Sequence, residues 1–167
     1  MSEPTKASFP PVGALDPGLL ILGSLPGERS LREGRYYAHP ANQFWRLLGA
    51  AIGVELAAVP YSERLNVLAE RGIALWDVIA SAQRRGSLDG ALRSVAPNPL
   101  RDFVRTHPGL RAIGFNGTVA ARIGRQALGE VPEMALIDLP SSSPAHTLAF
   151  DVKFASWSAL GAFASRA

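Results

Sequence analysis

The sequence predicts an α/β fold: one domain with a central four-stranded parallel sheet and helices on both faces, a three-layer sandwich. Three observations predict it. Short apolar runs without alternation recur along the chain, as strands buried on both faces require. Strand and helix patterns alternate throughout, which is the order of a sheet built from parallel crossovers. Finally, every polar or aromatic cluster of unusual composition follows a strand, and in such sheets the ligand crevice lies outside the carboxyl ends of the strands.

The elements run in order. Gly18 to Ser24 is the first apolar run, closed by small residues and followed by the turn-rich segment Leu25 to Ser30. Asn42 to Ile52 is a helix: Pro40 sits near its first turn, and Phe44, Leu47, Leu48 and Ala51 recur at core spacing. Ser62 is the expected N-cap of a helix through Glu70, with Gly72 near its end. Ile73 to Val78 is the second strand, with a polar exit from Ser81 to Asp89. Asn98 is expected to cap a helix to about Thr106. Leu110 to Phe115 is the third strand, and Asn116-Gly117 turns it into the helix Thr118 to Leu128. Met134 to Leu139 is the fourth strand, followed by the loop Pro140 to His146 and a last helix from about Val152 to Ala164.

The chain has 167 residues, enough for one domain with a real core. The expected division is a loose N-terminal arm over 1–12 and one α/β domain over 13–167. No run of about 18 apolar residues occurs, which argues against a membrane span, and no secretory signal opens the chain. The absence of cysteine excludes disulfides and thiolate metal sites and fits a cytoplasmic location. The three histidines are scattered without metal-ligand spacing, so no metal is expected. Net charge is +3 and the pI about 9.8, which favours an anionic partner such as nucleic acid. There is no GxGxxG and no phosphate-loop lysine, which disfavours ordinary dinucleotide or nucleoside triphosphate binding.

Four clusters carry candidate chemistry. Tyr36 to Trp45 places four aromatics, His39 and Asn42 within ten residues. Tyr37 and Phe44 are placed to stack a flat ring, or to form an aromatic mini-core under a loop. Gly23, Ser24, Pro26 and Gly27 let backbone approach a ligand, or simply make a turn. Asp77 at a strand end either accepts hydrogen bonds from a heterocycle and orients water, or caps the turn that follows. Ser141, Ser142 and Ser143, bracketed by prolines, either hold a phosphate backbone or form a solvated turn.

The segment Tyr37-Ala38-His39-Pro40-Ala41-Asn42-Gln43-Phe44-Trp45 resembles the HPxNxFW motif of the uracil-DNA glycosylase superfamily. Gly23 to Gly27 is similar to its first motif and Leu139 to His146 to its last, with Leu75 to Ile79 and Phe115 to Gly117 similar to the strand ends between them. The resemblance spans roughly Leu19 to Trp157 and is nearest the hypoxanthine-DNA and mismatch-specific uracil-DNA glycosylase branches. It implies a monofunctional, monomeric DNA glycosylase without cofactor. Such an enzyme flips a deaminated base (uracil, hypoxanthine or both) out of DNA and hydrolyses its glycosidic bond.

Two departures shape the site. Most branches place Asp or Asn where Leu25 stands, and many place His or Asn where Leu139 stands. The resemblance to the hypoxanthine branch moves the chemical step to Asn42, with Asp77 as the second catalytic candidate. It implies a base pocket of Gly23, Ser24, Leu25, Tyr37, Phe44 and Asn116. Its DNA contacts fall at Ser141, Ser142, Ser143, Pro144 and His146. Two other classes are compatible with the residues: a non-catalytic binder of damaged or abasic DNA, and a small-molecule enzyme acting on a nucleoside or nucleotide.

Overall fold

Leu19, Leu20, Ile21 and Leu22 are all but fully buried, and alternate residues of this one run feed two different cores. The computed structural model, which describes residues 4–165, shows why. Its strands are β1 (Thr5–Ala7), β2 (Val12–Gly13), β3 (Leu19–Gly23), β4 (Ile73–Asp77), β5 (Ile79–Gln83), β6 (Arg93–Pro97), β7 (Ala112–Asn116) and β8 (Ala135–Leu139). Its helices are α1 (Glu28–Glu33), α2 (Phe44–Ile52), α3 (Tyr61–Glu70), α4 (Leu100–Thr106), α5 (Thr118–Leu128) and α6 (Phe150–Trp157).

Strands β4, β3, β7 and β8 lie parallel in that order, as the alternation requires, and the short β2 adds antiparallel to the free edge of β4. The sheet is therefore mixed and five-stranded rather than purely parallel. A two-residue strand is too short to show any periodicity. Leu19, Ile21, Ile73 and Leu75 face α2, α3 and α6, whereas Leu20, Leu22, Ala74 and Ile113 face α4 and α5. Both faces are covered, so both sets of side chains are apolar.

Where the sequence shows only a polar exit after the second strand, the chain builds a hairpin. Past Val78 it continues as β5, which pairs antiparallel with β6 and with β1. The arm expected to be loose is tied down over its described part. β1 pairs with β5, β2 pairs with β4, and the Phe9 carbonyl accepts from Trp76 Nε1 at 3.1 Å. Residues 1–3 of that arm, and 166–167 at the end of the domain, lie outside the described residues.

Two expected caps have other work. Helix α3 starts at Tyr61, so Ser62 is already inside it. Asn98 precedes α4 but donates its side chain to the Asp77 carbonyl at 2.8 Å, tying the α4 approach to the end of β4. The last helix gives way after Trp157 to a 3₁₀ stretch, Ser158–Phe163, a common way for a helix to tighten at its end. Among the described residues no helix is long and apolar enough to cross a membrane.

Candidate active site

Strands β3 and β4 end side by side, with Gly23 opposite Asp77. The exits of β3, β7 and β8 and the tip of the β5–β6 hairpin wall one crevice of about 500 Å³ at this edge. That is the size of a small-molecule site. The crevice collects Gly23, Ser24, Leu25, Tyr37, Asn42 and Asp77 with Asn116 and the Ser141–His146 loop.

Its floor is set by Gly23. A Cβ there would lie 2.7 Å from Asp77 Oδ1 and 2.8 Å from the Tyr37 hydroxyl, so only glycine lets both groups come this close. Asp77 is 3% exposed, and its Oδ2 has no hydrogen-bond partner among the described residues. Burial pushes its pKa up from 3.8 to about 7, the negative charge of Asp89 adds to the rise, and Arg84 opposes it. Near neutral pH this carboxyl is thus divided between a donor form and an acceptor form.

Tyr37 reaches the floor from a left-handed backbone conformation, φ +52°. A non-glycine residue pays roughly 1–2 kcal/mol for it. Its hydroxyl is buried with no partner among the described residues. Burial, then the charge of Asp77, raises its pKa, so it stays an O–H donor. One face of its ring lies on Phe44, centroids 3.8 Å apart and planes within 10°. Phe44 itself is wholly buried, edge-on to Trp45 and Trp157. Phe44 is therefore corrected from a base-stacking residue to the core support behind Tyr37, because helix α2 turns it inward.

Asn42 lines the crevice, and its Oδ1 accepts the Phe44 backbone N–H at 2.9 Å, an Asx turn that satisfies the first N–H of α2 one residue ahead of the N-cap Gln43. Its Nδ2 donates to nothing among the described residues.

Asn116 is 8% exposed and grips Ser142 twice, donating Nδ2 to the Ser142 hydroxyl and accepting the Ser142 N–H on Oδ1, both at 2.9 Å. Ser142 is fully buried, and its carbonyl accepts from the Gln43 N–H at 3.0 Å. One assignment changes accordingly. Asn116 holds the loop from a position that also lines the crevice, and Ser142, fully buried, is closed to a phosphate. Ser141 and Ser143 accept local backbone N–H groups, from Ser143 at 3.1 Å and Ala145 at 3.2 Å. Pro144 and His146 form the exposed rim. Leu25 is 7% exposed and belongs to the core on the α4–α5 side.

The hairpin tip brings two residues that the sequence did not single out. Asp89 lines the crevice and accepts the Ser24 hydroxyl at 2.7 Å. Arg84 is completely buried and donates to the carbonyls of Leu25, Pro26 and Gly86, with Asp89 at 4.0 Å. The available signal was two arginines and an aspartate in the exit of a strand whose edge carries every other cluster. Among the described residues no cluster of His, Asp and Glu can hold a metal ion.

The family model described as the uracil DNA glycosylase superfamily matches residues 10–163. The chain belongs to that superfamily. Two curated relatives bear the name hypoxanthine DNA glycosylase. One, from Methanosarcina barkeri, is 42% identical over 112 residues, 67% of this chain and 71% of that protein. The other, from Methanosarcina acetivorans, is 39% identical over 141 residues, 84% of this chain and 88% of its own length. The solution NMR structure of a candidate uracil DNA glycosylase from Methanosarcina acetivorans superposes with a TM-score of 0.82 at 35% identity. It covers 95% of this chain and 97% of that one. The crevice takes in both Gly23–Gly27 and Ser141–His146, the two segments similar to the superfamily's first and last motifs.

Proposed function

We propose that this crevice is the active site of a DNA glycosylase that releases hypoxanthine from DNA, with Asn42 and Asp77 as its catalytic side chains. The observation that carries the reading is the floor. Two buried polar groups without partners, the Tyr37 hydroxyl and Asp77 Oδ2, converge on a glycine at the strand ends. A buried polar group left unpaired is costly, and a ligand that pairs with it recovers that cost. Hypoxanthine and uracil both present an N–H beside a carbonyl. The Tyr37 hydroxyl can donate to the carbonyl, while ionised Asp77 accepts from the N–H. The names of the curated relatives favour hypoxanthine.

The base must leave the duplex to reach this floor, and Tyr37 then offers its free ring face for stacking. The exposed rim of Pro144 and His146 meets the DNA backbone, where Ser141 and Ser143 add small polar contacts. As the bond to the base breaks, the sugar becomes oxocarbenium-like. Asn42 orients the attacking water and places its amide dipole against the cationic sugar.

The test is release of base from oligonucleotides carrying hypoxanthine, uracil or xanthine, followed by alkali. Nicking at hypoxanthine supports the reading. Binding without nicking would make the protein a reader of damage, and neither would point to a free nucleoside or nucleotide as substrate.

A further inference from the structure

We propose that Asp89 is the general base of the hydrolysis, taking the proton of the water that Asn42 orients; the proposal rests on the glycosylase reading above. An amide cannot take a proton, and Asn42 already spends one lone pair on the Phe44 N–H. Leu25 and Leu139 carry no polar atom. His39 is an exposed rim residue whose Nδ1 accepts the Ala41 N–H at 3.0 Å. Asp77 is closed in the floor and nearly without solvent. Asp89 differs from all of these: it is a carboxylate on the crevice wall whose side chain is still 36% exposed.

Its position is built. The Ser24 hydroxyl donates to Oδ1 at 2.7 Å, which anchors the carboxylate to the exit of β3. Arg84 locks the hairpin tip to the same exit through the carbonyls of Leu25 and Pro26. Ser87 Oγ accepts the Glu28 N–H at 3.0 Å, and Lys6 bridges the Gly86 carbonyl at 2.6 Å and Glu28 at 3.3 Å. The wall thus delivers a carboxylate from one loop to the Ser24 hydroxyl of another, one residue before Leu25.

The groups facing Asp89 carry charges of both signs. Ser24 and Arg84 favour its ionised form against the rise that burial causes. Asp77 lies across the floor and, like Tyr37, is pushed toward its neutral form in part by the Asp89 charge. In the step, the C1′–N9 bond breaks and its electron pair stays on the base. Water oxygen bonds to C1′, its lost proton passes to Asp89, and the base leaves as the N9 anion, held by the Tyr37 hydroxyl and protonated from solvent on release.

The test is single-turnover release of hypoxanthine by the parent and by Asp89→Asn, from pH 5 to 9, with melting curves. Asparagine keeps an acceptor for Ser24. The expected result is a rate that rises with pH in the parent and, in the variant, a rate lower by roughly 10²–10⁴-fold that keeps only the part of the rise belonging to Asp77 near pH 7. A variant within a few-fold of the parent and with the same profile overturns the proposal alone. A parent that releases no base overturns the glycosylase reading and the proposal with it. If Asp89→Asn leaves buried Arg84 uncompensated and does not melt cooperatively, Asp89→Glu keeps the charge and moves the carboxylate by one methylene. Slower release at unchanged DNA affinity then supports the proposal, and parental release overturns it.

Discussion

Asn116 and Ser142 are locked face to face: side-chain amide to hydroxyl, and backbone N–H to side-chain carbonyl, each at 2.9 Å and both residues buried. The pair joins the end of β7 to the loop leaving β8, so the rim proposed to meet DNA is held by one side chain from the neighbouring strand.

Cutting this link should therefore cost stability and DNA affinity together. Asn116→Ala leaves the buried Ser142 N–H without its acceptor, a loss of about 1–3 kcal/mol. In a domain of this size that lowers the melting temperature by about 2–4 °C per kcal/mol. Asn116→Asp keeps the acceptor for the N–H and should fall between parent and Ala. Thermal melting and binding to a duplex with an abasic site check both effects. Unchanged affinity in a destabilised Asn116→Ala would mean that the rim does not need the lock.

The floor makes a prediction of opposite signs. Tyr37→Phe removes a buried hydroxyl that has no partner, so the protein should melt at the same temperature or higher while releasing base more slowly. Gly23→Ala drives a methyl group into Asp77 and Tyr37, at contacts of 2.7 and 2.8 Å, and should lower both stability and rate. Tyr37→Ala loses the ring as well, and with it about 1–3 kcal/mol of base stacking. A Tyr37→Phe protein that melts lower would show that the hydroxyl is satisfied in the free enzyme.

Asp77 should make stability depend on pH in an unusual direction. Its pKa rises from 3.8 to about 7 on folding, so the folded state holds its proton more tightly than the unfolded chain. The penalty is absent below about pH 4, grows as the pH rises through the interval to 7, and levels off above it at about 4 kcal/mol. Other carboxylates have slopes of their own, Glu33 in the opposite sense, so the diagnostic is a difference. Asp77→Asn should gain stability over the parent as the pH rises from 5 to 8. Parallel melting curves across that range would mean that Asp77 ionises in place without cost.

What the sequence discloses and what it hides follow from physics. The order of strands was legible because Leu19–Leu22 and Ile73–Leu75 are covered on both faces and so cannot alternate. Tyr37 and Asp77 were legible because unusual residues at strand ends converge by topology. Phe44 was legible as core from its spacing with Leu47, Leu48 and Ala51, and only the motif resemblance drew it toward the base. The Asn116–Ser142 lock joins residues 26 apart and depends on the register of β7 with β8. Asp89 and Arg84 were hidden for a further reason. The β5–β6 pairing is broken by register shifts, which erase the alternation that marks a hairpin. A fully buried arginine also runs against everything its type predicts.

Asn42 is where cap and chemistry meet in one side chain. Its Oδ1 accepts the Phe44 N–H at 2.9 Å, so the capping contact is real and its loss should cost about 1 kcal/mol. The same residue lines the crevice, and its Nδ2 has no partner among the described residues. The two roles separate by magnitude. A lost cap leaves release of base nearly intact, whereas a lost water-orienting group slows it by roughly 10²–10⁴-fold. Asn42→Asp splits them further, because a carboxylate still caps the Phe44 N–H but has no amide to donate. Asn42→Ala is expected to melt slightly lower and to release hypoxanthine far more slowly in single turnover. Asn42→Asp is expected to melt like the parent, with a rate that reports whether the carbonyl oxygen or the amide is the working half. An Asn42→Ala protein that melts lower but releases base at the parental rate would reduce Asn42 to a helix-start contact and leave the water to Asp89.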